Sequence, residues 1–374
     1  MQELHDLVEV LKIEKAADFE QFKQMIQSLP LQKRKEKGVT WYPLEVVKTG
    51  FTYGDRAFVL VRKTTENAPH QFRGGKLVRL FTQAEGESNR ERNGVIQFVD
   101  KTKMKIVLNS KDHPEWLNKG LLGVDLMFDE RTYLEMEKAM ATVIAAKNDR
   151  LAELRAVLLG KTPARFRKVE NPIEIPQLNP SQNQAVNQML AAQDVTIIHG
   201  PPGTGKTTTL TYGIKLLAQR EATILVTAPS NTAVDLLTER LAAMDLTVVR
   251  VGNISRVDES IIRHTLDMRL SQHPDSKTIK KVKIQAAEAR RKARKFKRNF
   301  GQKERQERNE YYKEAKELSA WANQLEDRLI EQILHSAHVI TCTFVGSTSK
   351  VLERMDFKTV VIDEAAQGLS LIHI

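Results

Sequence analysis

The stretch from Val195 to Leu210, VTIIHGPPGTGKTTTL, limits what this chain can fold into more than any other. Its short apolar run, Val195 to Ile198, predicts a buried strand. Gly200-Pro201-Pro202-Gly203-Thr204-Gly205 predicts a loop, and Lys206-Thr207-Thr208 opens a predicted helix. Strand, glycine-rich loop and helix in that order make a phosphate-binding P-loop. The glycines let backbone N–H groups face anionic oxygens with no Cβ in the way. The helix start adds unpaired N–H groups and the positive end of its dipole. Lys206 is placed to reach β- and γ-phosphates, and the Thr207 hydroxyl to ligate Mg²⁺. The segment therefore implies a nucleoside triphosphate site.

At 374 residues the chain has room for two or three domains. No run is long and apolar enough to span a bilayer, and the acidic start MQELHDLVEVLKIEKAADFE lacks the layout of a signal peptide. The single cysteine, Cys342, excludes an internal disulfide and a cysteine-based zinc cluster, so a reducing, cytoplasmic setting is expected. Net charge is informative through its location. Lys277 to Arg308 holds fourteen Lys and Arg against three Glu, an excess equal to the +11 of the whole chain. On a nucleotide-binding protein so concentrated a charge points to a polyanion, nucleic acid above all. Standing alone, it would be read as a solvated helical face.

Residues 1–37 carry apolar positions at helical spacing and predict a helical stalk. Over 38–125 the period changes to that of short strands, separated by turn residues at Gly50, Gly54-Asp55, Gly74-Gly75 and Gly94. Four to six antiparallel strands of this size predict a small β-barrel, either purely structural or a nucleic-acid platform. Trp41, Tyr42, Phe51, Tyr53, Phe72 and Phe81 are its aromatic candidates for base stacking or for core. Residues 126–170 hold one long predicted helix, Phe128 to Leu159, and a proline-marked linker.

An α/β domain with a parallel sheet is predicted for 171–270 and 331–368, interrupted by a basic helical insertion at 271–330. In LNPSQNQAVNQML, Ser181 is a candidate cap, and the Gln182 amide offers one donor and one acceptor to an adenine edge. The loop Ala228-Pro229-Ser230-Asn231-Thr232 follows a second predicted strand, where open α/β sheets bind ligands. Further strands are predicted at Thr247–Val251 and Val339–Cys342. Val360-Val361-Ile362 reads as a last buried strand, with Asp363-Glu364 at its carboxyl tip. There Asp363 can hold Mg²⁺ through water, and Glu364 can orient or deprotonate the attacking water.

Together, Gly200–Thr207, LNPSQ, APSNTAVD and DEAAQ resemble the motifs of superfamily 1 helicases. The nearest branch is the 5′-to-3′ translocating group that includes the RNA helicase of nonsense-mediated decay and the immunoglobulin-mu-binding helicase. The resemblance implies a RecA-like motor domain, a β-barrel on helical stalks and a helical insertion. It also implies ATP and Mg²⁺ as cofactors and single-stranded DNA or RNA as partner. By it, Gln182 contacts adenine, while Gly200 to Thr208 and Lys206 hold the phosphates. Thr207 and Asp363 hold magnesium, and Glu364 activates water. Gln367 couples the nucleotide state to a partner domain. Pro229, Ser230, Asn231, Thr232, Thr341 and Thr343 touch the nucleic-acid backbone.

The family's second RecA-like domain, with its arginine finger, would lie beyond DEAAQ. The closing residues 369–374 (LSLIHI) read as a foreign tail on a truncated frame. Such a fragment is expected to turn over little, an arginine finger being worth roughly 10³–10⁵ in rate. The alternative to an ATP-driven translocase is a nucleic-acid-binding module without turnover. No ABC-type signature or guanine-specific Asn-Lys-x-Asp motif supports another kind of P-loop machine.

Overall fold

The computed structural model describes residues 1–52, 56–64, 69–84, 90–110, 112–253, 257–294 and 301–369. They form two compact units, Met1–Leu217 with Asn253–Val257, and Ala218–Gly252 with Asp258–Ile374.

The first unit opens with α1 (Gln2–Phe22), a π-helical turn at Lys23–Gln27 and α2 (Leu31–Glu36). Six strands follow: β1 (Thr40–Phe51), β2 (Ala57–Lys63), β3 (Leu77–Thr82), β4 (Glu91–Val99), β5 (Lys103–Leu108) and β6 (Leu122–Leu126). They pair in the order β1-β2-β5-β4-β3-β6 and close into an antiparallel barrel. Alternation drives this. Ala57, Val59 and Val61 of β2, Val78 and Leu80 of β3, and Met104, Ile106 and Leu108 of β5 all face one core. Closure leaves no unpaired sheet edge. Asp125 of β6 is buried and ties α2 to the barrel by accepting from Arg34 as well as from Thr40. Trp41 and Phe72 belong to the core at 2% exposure each, so they are not stacking surfaces, whereas Phe51 is 59% exposed. Tyr42 stacks on Phe81. Tyr53 and the Gly54-Asp55 turn lie outside the described residues.

The long helix expected after the barrel is two helices, α3 (Glu130–Ala145) and α4 (Arg150–Leu158). Between them Asn148 takes φ +54° and the Asp149 carboxylate accepts from the Ala152 N–H at 2.8 Å. A capping carboxylate starts a new helix here, which apolar periodicity alone does not reveal. The unit ends with α5 (Pro180–Ala191) and α6 (Lys206–Leu217). Ahead of α5 the extended chain is held by two asparagines. Asn183 accepts from the Ile175 N–H and donates to its carbonyl, and Asn187 does the same for Ile173.

The second unit contains β7 (Ile224–Ala228), α7 (Asn231–Ala242), β8 (Val248–Arg250), α8 (Leu266–Gln272), α9 (Ser276–Arg294), α10 (Gln302–His335), β9 (Val339–Thr343) and β10 (Val360–Ile362). The strands make a parallel sheet in the order β10-β7-β9-β8. Leu225, Val249, Ile340 and Cys342 pack against Ile279 of α9 and against Leu329, Ile333 and Leu334 of α10. Farther out, α9 and α10 form the expected helical hairpin. Ala286, Ala289 and Ala293 of α9 and Ala315 and Ala322 of α10 are buried. Small side chains of this kind let helices pack closely. Lys283 pairs with Glu326 at 2.9 Å. Residues 295–300 of the basic run and 370–374 of the tail lie outside the described residues. No described helix is long and apolar enough to cross a membrane.

The structure corrects one expectation that mattered. Val195–Ile198 is not a strand, and Ile197 is 81% exposed. The parallel sheet has four described strands, and none of its ladders includes this segment. An apolar run becomes a strand only where a neighbour accepts its hydrogen bonds. The P-loop and α6 group with the first unit and the sheet with the second.

Candidate functional site

In the first unit the P-loop is built from the cap of α5 onward. Asn179, rather than Ser181, is the cap: its side chain accepts from the Gln182 N–H, and Gln182 Oε1 accepts from the Asn179 N–H, both at 2.9 Å. This reciprocal capping box satisfies two orphan donors. It also leaves the Gln182 amide nitrogen to donate to the Thr204 carbonyl at 3.1 Å. Gln182 thus sits against the loop, its amide oxygen engaged by the cap. Gly205 has φ +79°, a backbone conformation that favours glycine, and its Cα faces the Gln182 amide. Gly203 also holds a left-handed φ, +82°.

The loop closes on itself through Lys206. Its ammonium donates to the carbonyls of Gly200 at 2.6 Å and Pro201 at 2.9 Å, and the Thr204 hydroxyl donates to Pro201 at 2.8 Å. Pro201, Pro202 and Gly203 are exposed. Thr207 and Thr208 occupy the first turn of α6, with Thr208 at the surface. A cation already seated among loop oxygens can exchange them for phosphate oxygens with little rearrangement.

In the second unit the carboxyl ends of parallel strands share one edge. β10 pairs with β7, Ile362 opposite Thr227, and the Asp363 N–H continues that ladder to the Thr227 carbonyl at 2.9 Å. β9 flanks β7 on its other side, Thr343 opposite Ala228. Asp363 and Glu364 therefore lie at the same sheet edge as the Ser230–Thr232 loop and Thr343. Asp363 Oδ1 accepts from the Glu364 N–H at 3.0 Å. Glu364 holds φ +53°, uncommon for a residue with a side chain, and Gln367 follows exposed in a short 3₁₀ turn. Such outliers concentrate at functional sites.

Among the residues expected on nucleic acid, the structure separates surface from core. Ser230 caps α7, accepting from the Ala233 N–H at 3.1 Å; Asn231 is partly exposed and Thr232 exposed. Thr343 is partly exposed, its hydroxyl accepting from the Gly346 N–H. Pro229 and Thr341 are buried and are corrected to structural residues. The Thr341 hydroxyl meets that of Thr238 on α7 at 2.7 Å, whereas Thr343 stands at the carboxyl end of β9.

Two charged networks escape a reading of the sequence. Arg250 ends β8 at 1% exposure, bonded to Asp235 and Asn231; its only signal is a charge inside the apolar run TVVRV. In the first unit Asp194, just before the P-loop segment, accepts from Arg165 and pairs with Arg150. Those guanidiniums, Arg165 first, hold its carboxyl well below the usual carboxylate range.

Comparison with known proteins bears on the same stretch. An AAA domain family model matches residues 177–372, just over half of the chain. The rat protein named DNA-binding protein SMUBP-2 is 30% identical over 97% of this chain and 37% of its own length. The Schizosaccharomyces pombe protein named DNA polymerase alpha-associated DNA helicase A is 29% identical over 94% of this chain and 55% of its own length. That yeast's ATP-dependent helicase upf1 is 34% identical over 66% of this chain and 26% of its own length. The chain spans little more than a third of the first of these relatives. With the motifs, the P-loop and the parallel sheet in place, the chain belongs to the superfamily 1 helicases, its family-defining segment being an AAA domain.

Proposed function

We propose that this chain is an N-terminal part of an ATP-driven helicase or translocase acting on single-stranded DNA or RNA. In this reading 171–270 and 331–368 make its RecA-like motor domain, with the basic hairpin 271–330 inserted. The barrel, 38–125, stands on stalk segments 1–37 and 126–170. The carrying observation is the loop Gly200–Gly205 with Lys206 seated among its carbonyls at the head of α6. Lys206 and the loop N–H groups bind the β- and γ-phosphates of ATP, and Gln182 orients the adenine end. Water oxygen attacks the γ-phosphorus as the bond to the β–γ bridging oxygen breaks, giving ADP and phosphate. Glu364 takes the water's proton. Gln367 links the nucleotide state to a partner domain, and Ser230, Asn231, Thr232 and Thr343 contact the strand backbone.

Mg²⁺ suits the donor set, since Thr207 and Asp363 offer a hydroxyl and a carboxylate, hard oxygens that leave room for phosphate and water ligands. When bound there, the ion would offset the charge that develops on the phosphates. ATP hydrolysis by the chain, with and without a single-stranded dT20 or U20 oligonucleotide, tests the reading. Slow turnover, stimulated by the strand and lost in Lys206→Ala, is expected. Strand binding indifferent to ATP, with no Lys206-dependent turnover, would leave a nucleic-acid-binding module instead.

A further inference from the structure

Arg250 carries an inference beyond this assignment, although it rests on the reading that the Ser230–Thr232 loop meets the nucleic-acid backbone. Its guanidinium is buried at the end of β8 and bonded on three sides. Nε donates to Asp235 Oδ1 at 3.1 Å, Nη1 to the Val251 carbonyl at 2.6 Å, and Nη2 to Asn231 Oδ1 at 2.9 Å. Asp235 is fixed in turn, its second oxygen accepting from the Asp258 N–H at 3.0 Å. The seat is tight, because a Cβ on Gly252 would lie 2.9 Å from Nη1. Asp235 lies one helical turn beyond Asn231 on α7, so the arginine grips both from one side.

The chemistry of the pair fixes a direction. A guanidinium has five donors and no acceptor, so an amide bonded to it must turn its oxygen inward. Asn231 is left to meet a ligand with its NH₂ end alone. We propose that Arg250 is a positioning residue that locks Asn231 as a hydrogen-bond donor, making this loop selective for acceptor oxygens of the phosphodiester backbone. An asparagine free to flip would present a donor or an acceptor indifferently. A donor held in place suits phosphate, which every nucleotide carries, and reads no base.

The test is fluorescence anisotropy of labelled dT20 and U20 with this chain and the variants Asn231→Ala, Arg250→Lys and Asp235→Asn, alone and in pairs. Thermal melting establishes the folded fraction of each. Asn231→Ala is expected to weaken binding about tenfold. Arg250→Lys cannot span Asp235, Val251 and Asn231 together, and should cost about as much. Asp235→Asn removes the anchor of the guanidinium at constant volume and gives the same result if Arg250→Lys does not fold. In each pair with Asn231→Ala the losses should not multiply, since both changes remove one donor, whereas a purely structural role would leave the folded fraction binding normally. Losses that multiply, or normal binding by both Arg250→Lys and Asp235→Asn while Asn231→Ala is impaired, overturn the positioning role alone. Normal binding by Asn231→Ala removes the loop reading, and this inference with it.

Discussion

Cys342 shows how far a single side chain here is governed by its surroundings. It lies in β9 at 0% exposure, and burial pushes its thiol up to about 12, with Arg250 opposing. A thiol of this kind is almost entirely protonated at neutral pH and out of reach. A disulfide-exchange reagent at pH 8 should therefore label the folded chain only at its rate of unfolding, and label it at once in denaturant. Rapid labelling of the folded chain would contradict the burial. Local setting was legible: Lys206 opens a helix after a glycine loop, and Asp363 and Glu364 follow a short apolar strand. Depth was not legible. ITCTF does not show that Thr341 is buried and Thr343 partly exposed: they share a face of β9, and α7 covers it at Thr341 while Thr343 ends the strand. Arg250 and Asp194 were missed for a related reason: a charge is read as surface unless its partners are known, and these lie far away in sequence or on another element.

At the scale of elements, strands that bring their own neighbours were readable. The six barrel strands pair in one closed antiparallel set, and their alternation announces them. Helix boundaries were set by side-chain caps, Asp149 beginning α4 and Asn179 beginning α5. Both caps are local and could be found in the sequence, although periodicity carried the reading past the first. Val195–Ile198 is the opposite case, an apolar segment whose strand state depends on a partner elsewhere. Because Ile197 is 81% exposed, Ile197→Ser should change stability by no more than about 0.5 kcal/mol in a denaturant titration. A loss of 2 kcal/mol or more, roughly that of emptying a core position, would mean that the segment is buried in a sheet after all.

For the molecule as a whole, composition and motif order carried the family, and the match over 177–372 agrees with them. They did not show that the P-loop and the sheet group with different compact units, since such grouping depends on which strands find partners. Asp363 and Glu364 share a sheet edge with the Ser230–Thr232 loop, because β7, which leads into that loop, pairs directly with β10. The proposed roles of Lys206 and Asp363 are tested most directly by titrating a fluorescent ATP analogue with and without Mg²⁺. The unaltered chain, Lys206→Ala and Asp363→Asn would be compared. Mg²⁺ should tighten binding to the unaltered chain about tenfold, Asp363→Asn should bind equally with and without it, and Lys206→Ala should bind weakly in both. An Asp363→Asn chain that keeps the full response to Mg²⁺ would contradict the role proposed for Asp363.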